Sequence, residues 1–211
     1  MTALPGVPAG HAAEDDAAPD WQTNEEDRRG PAGGAATGQA SEKQRDYASV
    51  HIYGSRAALC FNADMTRAEG HTICLDAAAS KGQRSFNWEG KIRVQFTTKE
   101  LPFVLAVLMG WMTSVQFTAH GPKKDKGFSL EHQAGGKVFA RVWQGNGGGQ
   151  LSVPIFAEDL YGVVALLLRQ MGRNSPHLGV DGVMAVVRQL SSTYQERGLE
   201  VKPPPQRSAA A

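Results

Sequence analysis

Between residues 46 and 195 the apolar pattern switches from a period of two to a helical period, and it does so twice. Strands alternate their side chains between two faces, whereas a helix gathers residues three and four apart, so each switch marks a change of element. In the first pass, residues 51–61 and 71–75 are strand-like. Residues 91–97 then set Ile92, Val94 and Phe96 on one face and Lys91, Arg93 and Gln95 on the other. Thr97 and Glu100 have the spacing of a capping box, with Thr97 as the cap. Pro102 falls in a first turn, where a missing N–H is tolerated, and an apolar helix is predicted over 103–109, ending at Gly110.

The second pass repeats the plan. Residues 113–119 alternate, with Val115, Phe117 and Ala119 expected inward. Strands over 128–132 and 137–143 are joined through Gly135-Gly136, a hairpin signal. A further strand over 150–155 leads into a helix over 157–171 that carries Glu158 and Asp159 in its first turn, where the helix dipole favours acids. That helix is apolar nearly all round, which places it in a core or between subunits. A third helix is expected over 180–194, with Val183, Val186, Val187 and Leu190 at helical spacing. The expected class is α+β, a strands-then-helix pseudo-repeat.

Charge is segregated along the chain. Residues 1–45 hold eight acids and four bases, a net of −4, while 46–211 hold 18 bases and 13 acids, a net of +5. The first segment is rich in Ala, Gly, Pro and acids with no apolar period, so a disordered acidic tail is expected over 1–45, with Trp21 a solvated residue in it. The folded domain spans 46–195, and residues 196–211, with Pro203-Pro204-Pro205, read as a second disordered tail. The most apolar stretch, 101–112, is far shorter than the ~20 residues that cross a bilayer. Neither a secretory signal nor a transit peptide is legible, and a soluble, cytoplasmic protein with no membrane partner is expected.

The search for enzyme chemistry finds no nucleophile elbow, zinc-protease helix or paired C-x-x-C, and no enzymatic activity, cofactor or metal is expected. Gly145-Asn146-Gly147-Gly148-Gly149 is followed by no Gly-Lys-Ser/Thr and reads as a hairpin loop rather than a phosphate cradle. His51, His71, His120 and His132 are scattered over strands, and Cys60 and Cys74 read as small strand residues. The positive signal lies on polar strand faces. If Val138, Ala140 and Val142 face the core, Phe139, Arg141 and Trp143 face out, two rings and a guanidinium suited to stacking on bases and following phosphates. Lys91 and Arg93 lie outward by the same parity, and Lys123, Lys124 and Lys126 form a basic loop. The same pattern equally allows Phe139 and Trp143 as core residues and the lysines as a solvated turn.

Three stretches carry a resemblance. Tyr53-Gly54-Ser55-Arg56-Ala57-Ala58-Leu59, then Gly70-His71-Thr72-Ile73-Cys74-Leu75, then Arg84-Ser85-Phe86-Asn87-Trp88-Glu89-Gly90-Lys91 follow in an order that resembles the Whirly family of single-stranded-DNA-binding proteins. Thr97 to Leu101, Ser129-Leu130-Glu131 and Val153-Pro154-Ile155 continue it to about residue 172. The sequence departs from the family pattern at Gly54, where a lysine stands, keeps charge at Arg56, has Phe86-Asn87-Trp88 for Tyr-Asp-Trp, and lacks the closing Leu-Gly-Trp. The resemblance implies two antiparallel β-sheets packed crosswise, a homotetramer with helices at its centre, and single-stranded DNA as partner. Kinetoplastid mitochondrial RNA-binding proteins share that fold, which keeps an RNA-binding or annealing role open, as does a protein-interaction scaffold. The nucleic-acid-binding residues expected on this reading are Arg56, Lys91, Arg93 and Arg141 at phosphates, Phe86, Trp88 and Trp143 at bases, and Lys123, Lys124 and Lys126 as a basic edge. Trp88 and Phe86 are each open to a core role as well.

Overall fold

The computed structural model describes residues 48–145 and 149–196. The chain divides between Glu42 and Lys43, and every described residue belongs to the second unit, Lys43–Ala211. The tails expected over 1–45 and 196–211 lie outside the described residues, except that Glu196 closes a helix.

Two antiparallel sheets make up most of this unit. The first contains β1 (Ser49–Tyr53), β2 (Ala57–Met65), β3 (His71–Gly82), β4 (Ser85–Phe86) and β5 (Ile92–Gln95), in the order β1-β2-β3-β4 with β5 also pairing β3. After α1 (Leu101–Leu108) come β6 (Ser114–His120), β7 (Lys126–Gln133), β8 (Lys137–Gln144) and β9 (Gln150–Ile155), a meander in sequence order. Two long helices follow, α2 (Ala157–Asn174) and α3 (Gly179–Glu196). β9 lies against β1, β2 and β3, and β5 against β7 and β8, so strands of one sheet cross those of the other.

The core forms where the two inner faces meet. Leu59, Phe61, Ile73, Leu75, Val94 and Phe96 from one side meet Phe128, Leu130, Val138, Ala140, Val142, Val153 and Ile155 from the other, all buried. Phe96 stacks on Phe128 at 4.3 Å between centroids, and Phe117 joins it at 5.4 Å. Burial of such rings, at about 25 cal/mol per Å² of apolar surface, is the main force holding the sheets together. α2 packs on β1, β2 and β3 and carries α1 and α3 beside it. Its C-terminal end is latched to the first sheet: the Gln170 amide donates to the carbonyls of Thr72 (2.8 Å) and Asp64 (3.1 Å), and the Asn174 amide pairs with both backbone groups of His71.

Several expectations need correction. The stretch 51–61 is two strands, broken at Gly54, whose N–H is donated to Ala57 O at 2.9 Å. The capping box forms only in half. The Glu100 carboxylate accepts the Thr97 N–H at 2.8 Å, yet Thr97 to Glu100 make a turn and Glu100 itself is the cap, so the helix begins at Leu101. Ala119 does not point inward: a bulge between Phe117 and His120, with Ala119 at φ 61°, turns His120 into the core instead. There its Nε2 lies 3.2 Å from Glu100 Oε1 without hydrogen-bond geometry. In α3, Val183 and Val187 are buried but Val186 is exposed, because α3 turns only a narrow stripe toward its neighbours. α2 runs past Gly172 to Asn174.

Candidate nucleic-acid interface

The outer face of the first sheet is built by parity. Ile52, Leu59, Ala77 and Ile92 face the core, so their neighbours His51, Cys60, Asp76 and Arg93 form a row across β1, β2, β3 and β5 on the opposite face. Tyr53 stands one step along β1 and is 65% exposed. The segment after β3 then folds back over this face. Ser80 pairs with Phe86, the Asn87 N–H is donated to Ala79 O at 2.8 Å, and Phe86 and Trp88 arrive beside β1. Ala58 and Ala78, on the same outer face, are fully buried, and their small side chains let the rings lie low.

Four rings meet there in a closed circuit. Centroid distances are 5.5 Å for Tyr53–Phe86, 6.4 Å for Phe86–Trp88, 5.7 Å for Trp88–His51 and 6.0 Å for His51–Tyr53. Phe86 and Trp88 are half-buried, while Tyr53 and His51 are exposed. Rings this close leave no slot for a base between them, but they offer upper faces and edges on which a base can stack.

Beside the rings, Lys91 Nζ lies 2.7 Å and Arg93 Nε 3.2 Å from the Asp76 carboxylate, which also accepts from Asn62 at 3.3 Å. Asp76 is 3% exposed. A charge buried this far is held only when paired and hydrogen-bonded. Arg93 also feels the charge of Asp64 on β2, so the two cations of this row are set among two carboxylates. Arg93 Nε also contacts Cys74 Sγ at 2.9 Å. Burial pushes both thiols up to about 11, with Asp76 adding to the effect, so Cys60 and Cys74 stay protonated at neutral pH. Burial lowers the pKa of His51 below its ordinary value, with Asp76 opposing.

The second sheet adds a separate surface. Val138, Ala140 and Val142 are fully buried, so Phe139, Arg141 and Trp143 face outward, each half-buried. Arg141 donates to Glu131 at 2.8 Å and lies 4.8 Å from the centre of the Phe139 ring. Trp143 rests on Gly127, its register partner on β7, where a Cβ would collide with the indole and with Phe117 O at 2.6 Å. Next to it, Lys126 Nζ donates to Arg93 O at 3.2 Å and joins the border of this surface to the Lys91–Arg93 row. Lys123 and Lys124 are exposed in the intervening turn, which closes through Lys124 N–H to Gly121 O at 3.1 Å.

Of the residues singled out in the sequence, Phe86, Trp88, Lys91 and Arg93 thus share one face, with Lys126 at its border. Arg141 and Trp143 lie on the other sheet. Arg56 is exposed in the β1–β2 turn, and its carbonyl accepts the Ser80 N–H at 2.9 Å, which puts it at the Phe86 end. His51, Tyr53, Lys81 and Arg84 were missed. The parity of Ile52 was the signal for the first two; the exposed Lys81 lies near the end of β3 and the exposed Arg84 in the turn between β3 and β4. Among the described residues no cluster of three or more His, Cys, Asp or Glu is placed to hold a metal, and no helix is long and apolar enough to cross a membrane.

No protein-family model matches the chain, and no curated protein matches it in sequence. Among solved structures it is similar to WHY1 from Arabidopsis thaliana, at 16% identity and a TM-score of 0.49, over 66% of this chain and 98% of that one. It is also similar to the plant transcriptional regulator PBF-2, at 16% identity and a TM-score of 0.48, over 69% of this chain and 88% of that one. A guideRNA-binding protein complex bound to a gRNA is similar at 10% identity and a TM-score of 0.46, over 61% of this chain and 92% of that one. The first two are Whirly proteins, the family whose motifs this sequence resembles.

Proposed function

We propose that this protein binds single-stranded DNA with little sequence preference, acting as a cytoplasmic homotetramer on strands exposed in replication, repair, mobile-element transfer or transcription. The observation that carries the reading is the outer face of the first sheet, where four rings in mutual contact are bordered by Lys91, Arg93 and Lys126. Every base has a π face, so stacking on such rings contributes about 1–3 kcal/mol per base without reading its identity. A duplex keeps those faces occupied, which favours unpaired strands. Arg56, Lys81 and Arg84 at one end and Lys123, Lys124 and Lys126 at the other take the phosphates. Trp143 and Arg141 extend the surface over the second sheet.

Binding to matched single-stranded DNA, single-stranded RNA and duplex, read by anisotropy at several salt concentrations, tests this. Single-stranded DNA is expected to bind best, with log affinity falling linearly against log salt as counterions leave the strand. Tighter binding of RNA would reassign the ligand. Equal binding of duplex, or none at all, would overturn the reading.

A further inference from the structure

We propose that His51 is a further nucleic-acid-binding residue, acting as a cation when protonated, so that strand binding takes up a proton. The inference rests on the reading of this face as the nucleic-acid surface. His51 points outward from β1, near-parallel to Tyr53 (11°, 6.0 Å) and edge-on to Trp88 (88°, 5.7 Å). An imidazolium in that position gains from the ring faces and lies where a stacked nucleotide brings its phosphate.

The groups around it leave room for that phosphate. From β2 it faces Cys60, its register partner, a thiol that stays neutral. From β3 comes Asp76, whose charge Lys91 and Arg93 of the β5 side already match. From the segment between β4 and β5 come Trp88 and, next to it, the exposed Glu89. No unmatched buried carboxylate in the row holds the imidazole charged, and partial burial disfavours the cation, so the free protein carries His51 neutral at neutral pH. A bound phosphate supplies the missing anion and raises the His51 pKa. By linkage, affinity is flat above the bound-state pKa, rises as pH falls between the bound and free values, and levels off below the free value. The other described histidines lie elsewhere: His71 is at the start of β3 beside Asn174, His120 is buried by Glu100, His132 lies against Gly110, and His177 is exposed in the turn between α2 and α3.

Affinity of the full-length protein for an oligothymidylate, read by tryptophan quenching from pH 8 to pH 5 at constant ionic strength, tests the inference, because thymine does not titrate in that range. Affinity is expected to rise on acidification by up to about tenfold per pH unit, the limit for one proton. His51→Gln is expected to remove the rise whatever its affinity at pH 8. In the wild type, the His51 imidazole resonance should titrate at higher pH with the oligonucleotide bound than without it, a measurement independent of how the variant folds. Binding that is independent of pH, a rise that persists in His51→Gln, or a His51 titration unmoved by the oligonucleotide would overturn it. Absence of binding at every pH would instead overturn the nucleic-acid reading beneath it.

Discussion

At position 127 any side chain would strike the indole of Trp143, so a glycine there and a tryptophan opposite belong to one device that lays a ring flat on a strand. Arg141, two residues away, is held differently, by Glu131 and the Phe139 ring. The two residues therefore separate experimentally. Arg141→Ala is expected to lower the salt slope of strand binding by about 0.7, the value for one phosphate contact on a single strand. Trp143→Ala is expected to cost about 1–3 kcal/mol of affinity at an almost unchanged slope, since stacking releases no counterions. If Trp143→Ala binds as wild type, the strand does not reach the second sheet. The two thiols give a pH prediction. Their pKa values rise from 9.0 to about 11 on folding, so the protonated form is favoured by the native state. Above pH ~9 the unfolded thiols ionise while the folded ones do not, and stability falls as pH rises toward 11. Urea midpoints at pH 7, 9 and 10.5 should show that fall, and replacing both Cys60 and Cys74 by Ala should reduce it.

At the scale of elements, parity was the most legible feature. The alternation in β8 fixes which side of Phe139, Arg141 and Trp143 faces out once Val138, Ala140 and Val142 fill the core, and β5 obeys the same rule. What the pattern hides is irregularity. The bulge in β6 depends on a non-glycine residue, Ala119, held at positive φ by strand pairing, and no local propensity announces it. The ring platform was hidden for another reason. Phe86 and Trp88 meet His51 and Tyr53 only because β4 folds back along β3, a long-range pairing that residue order does not display. Asp76 was half-visible, a lone carboxylate in the apolar run Ile73-Cys74-Leu75-Asp76-Ala77, but its two cations, Lys91 just before β5 and Arg93 on it, lie more than ten residues on. The latch of α2 was also unreadable, because Asn174 mimics a strand by bonding both backbone groups of His71, at 2.8 and 2.7 Å. Each bond contributes about 0.5–1.5 kcal/mol net. Asn174→Ala is expected to lose about 1–2 kcal/mol in urea denaturation and to leave strand affinity unchanged; an undiminished stability would show that the latch is dispensable.

The molecule as a whole leaves apolar side chains of its two long helices in solvent. Tyr161 of α2 is 82% exposed and Phe156, just before it, 47%, while Val180 and Val186 of α3 are 55% and 56% exposed. Leu160, Val164 and Leu168 are only half-covered by the core beside them. Single exposed apolar residues are ordinary, but a helix pair carrying a run of them marks a surface for association. The sheets cannot supply the cover, because their inner faces are spent on each other and their outer faces carry the rings and bases. Copies of the chain can supply it through closed symmetry, which buries the same patch on every subunit. The expected mass in light scattering is about four times the 22.6 kDa of one chain. Tyr161→Glu, which sets a charge into the exposed side of α2 without touching the core, is expected to shift the protein to smaller species while its melting of secondary structure stays cooperative. Loss of the assembly should also weaken binding to long strands more than to short ones, because linked sites act at high effective concentration. A wild type that scatters as a monomer at micromolar concentration would overturn the assembly, and equal dependence on strand length in wild type and Tyr161→Glu would show that a strand engages one subunit at a time.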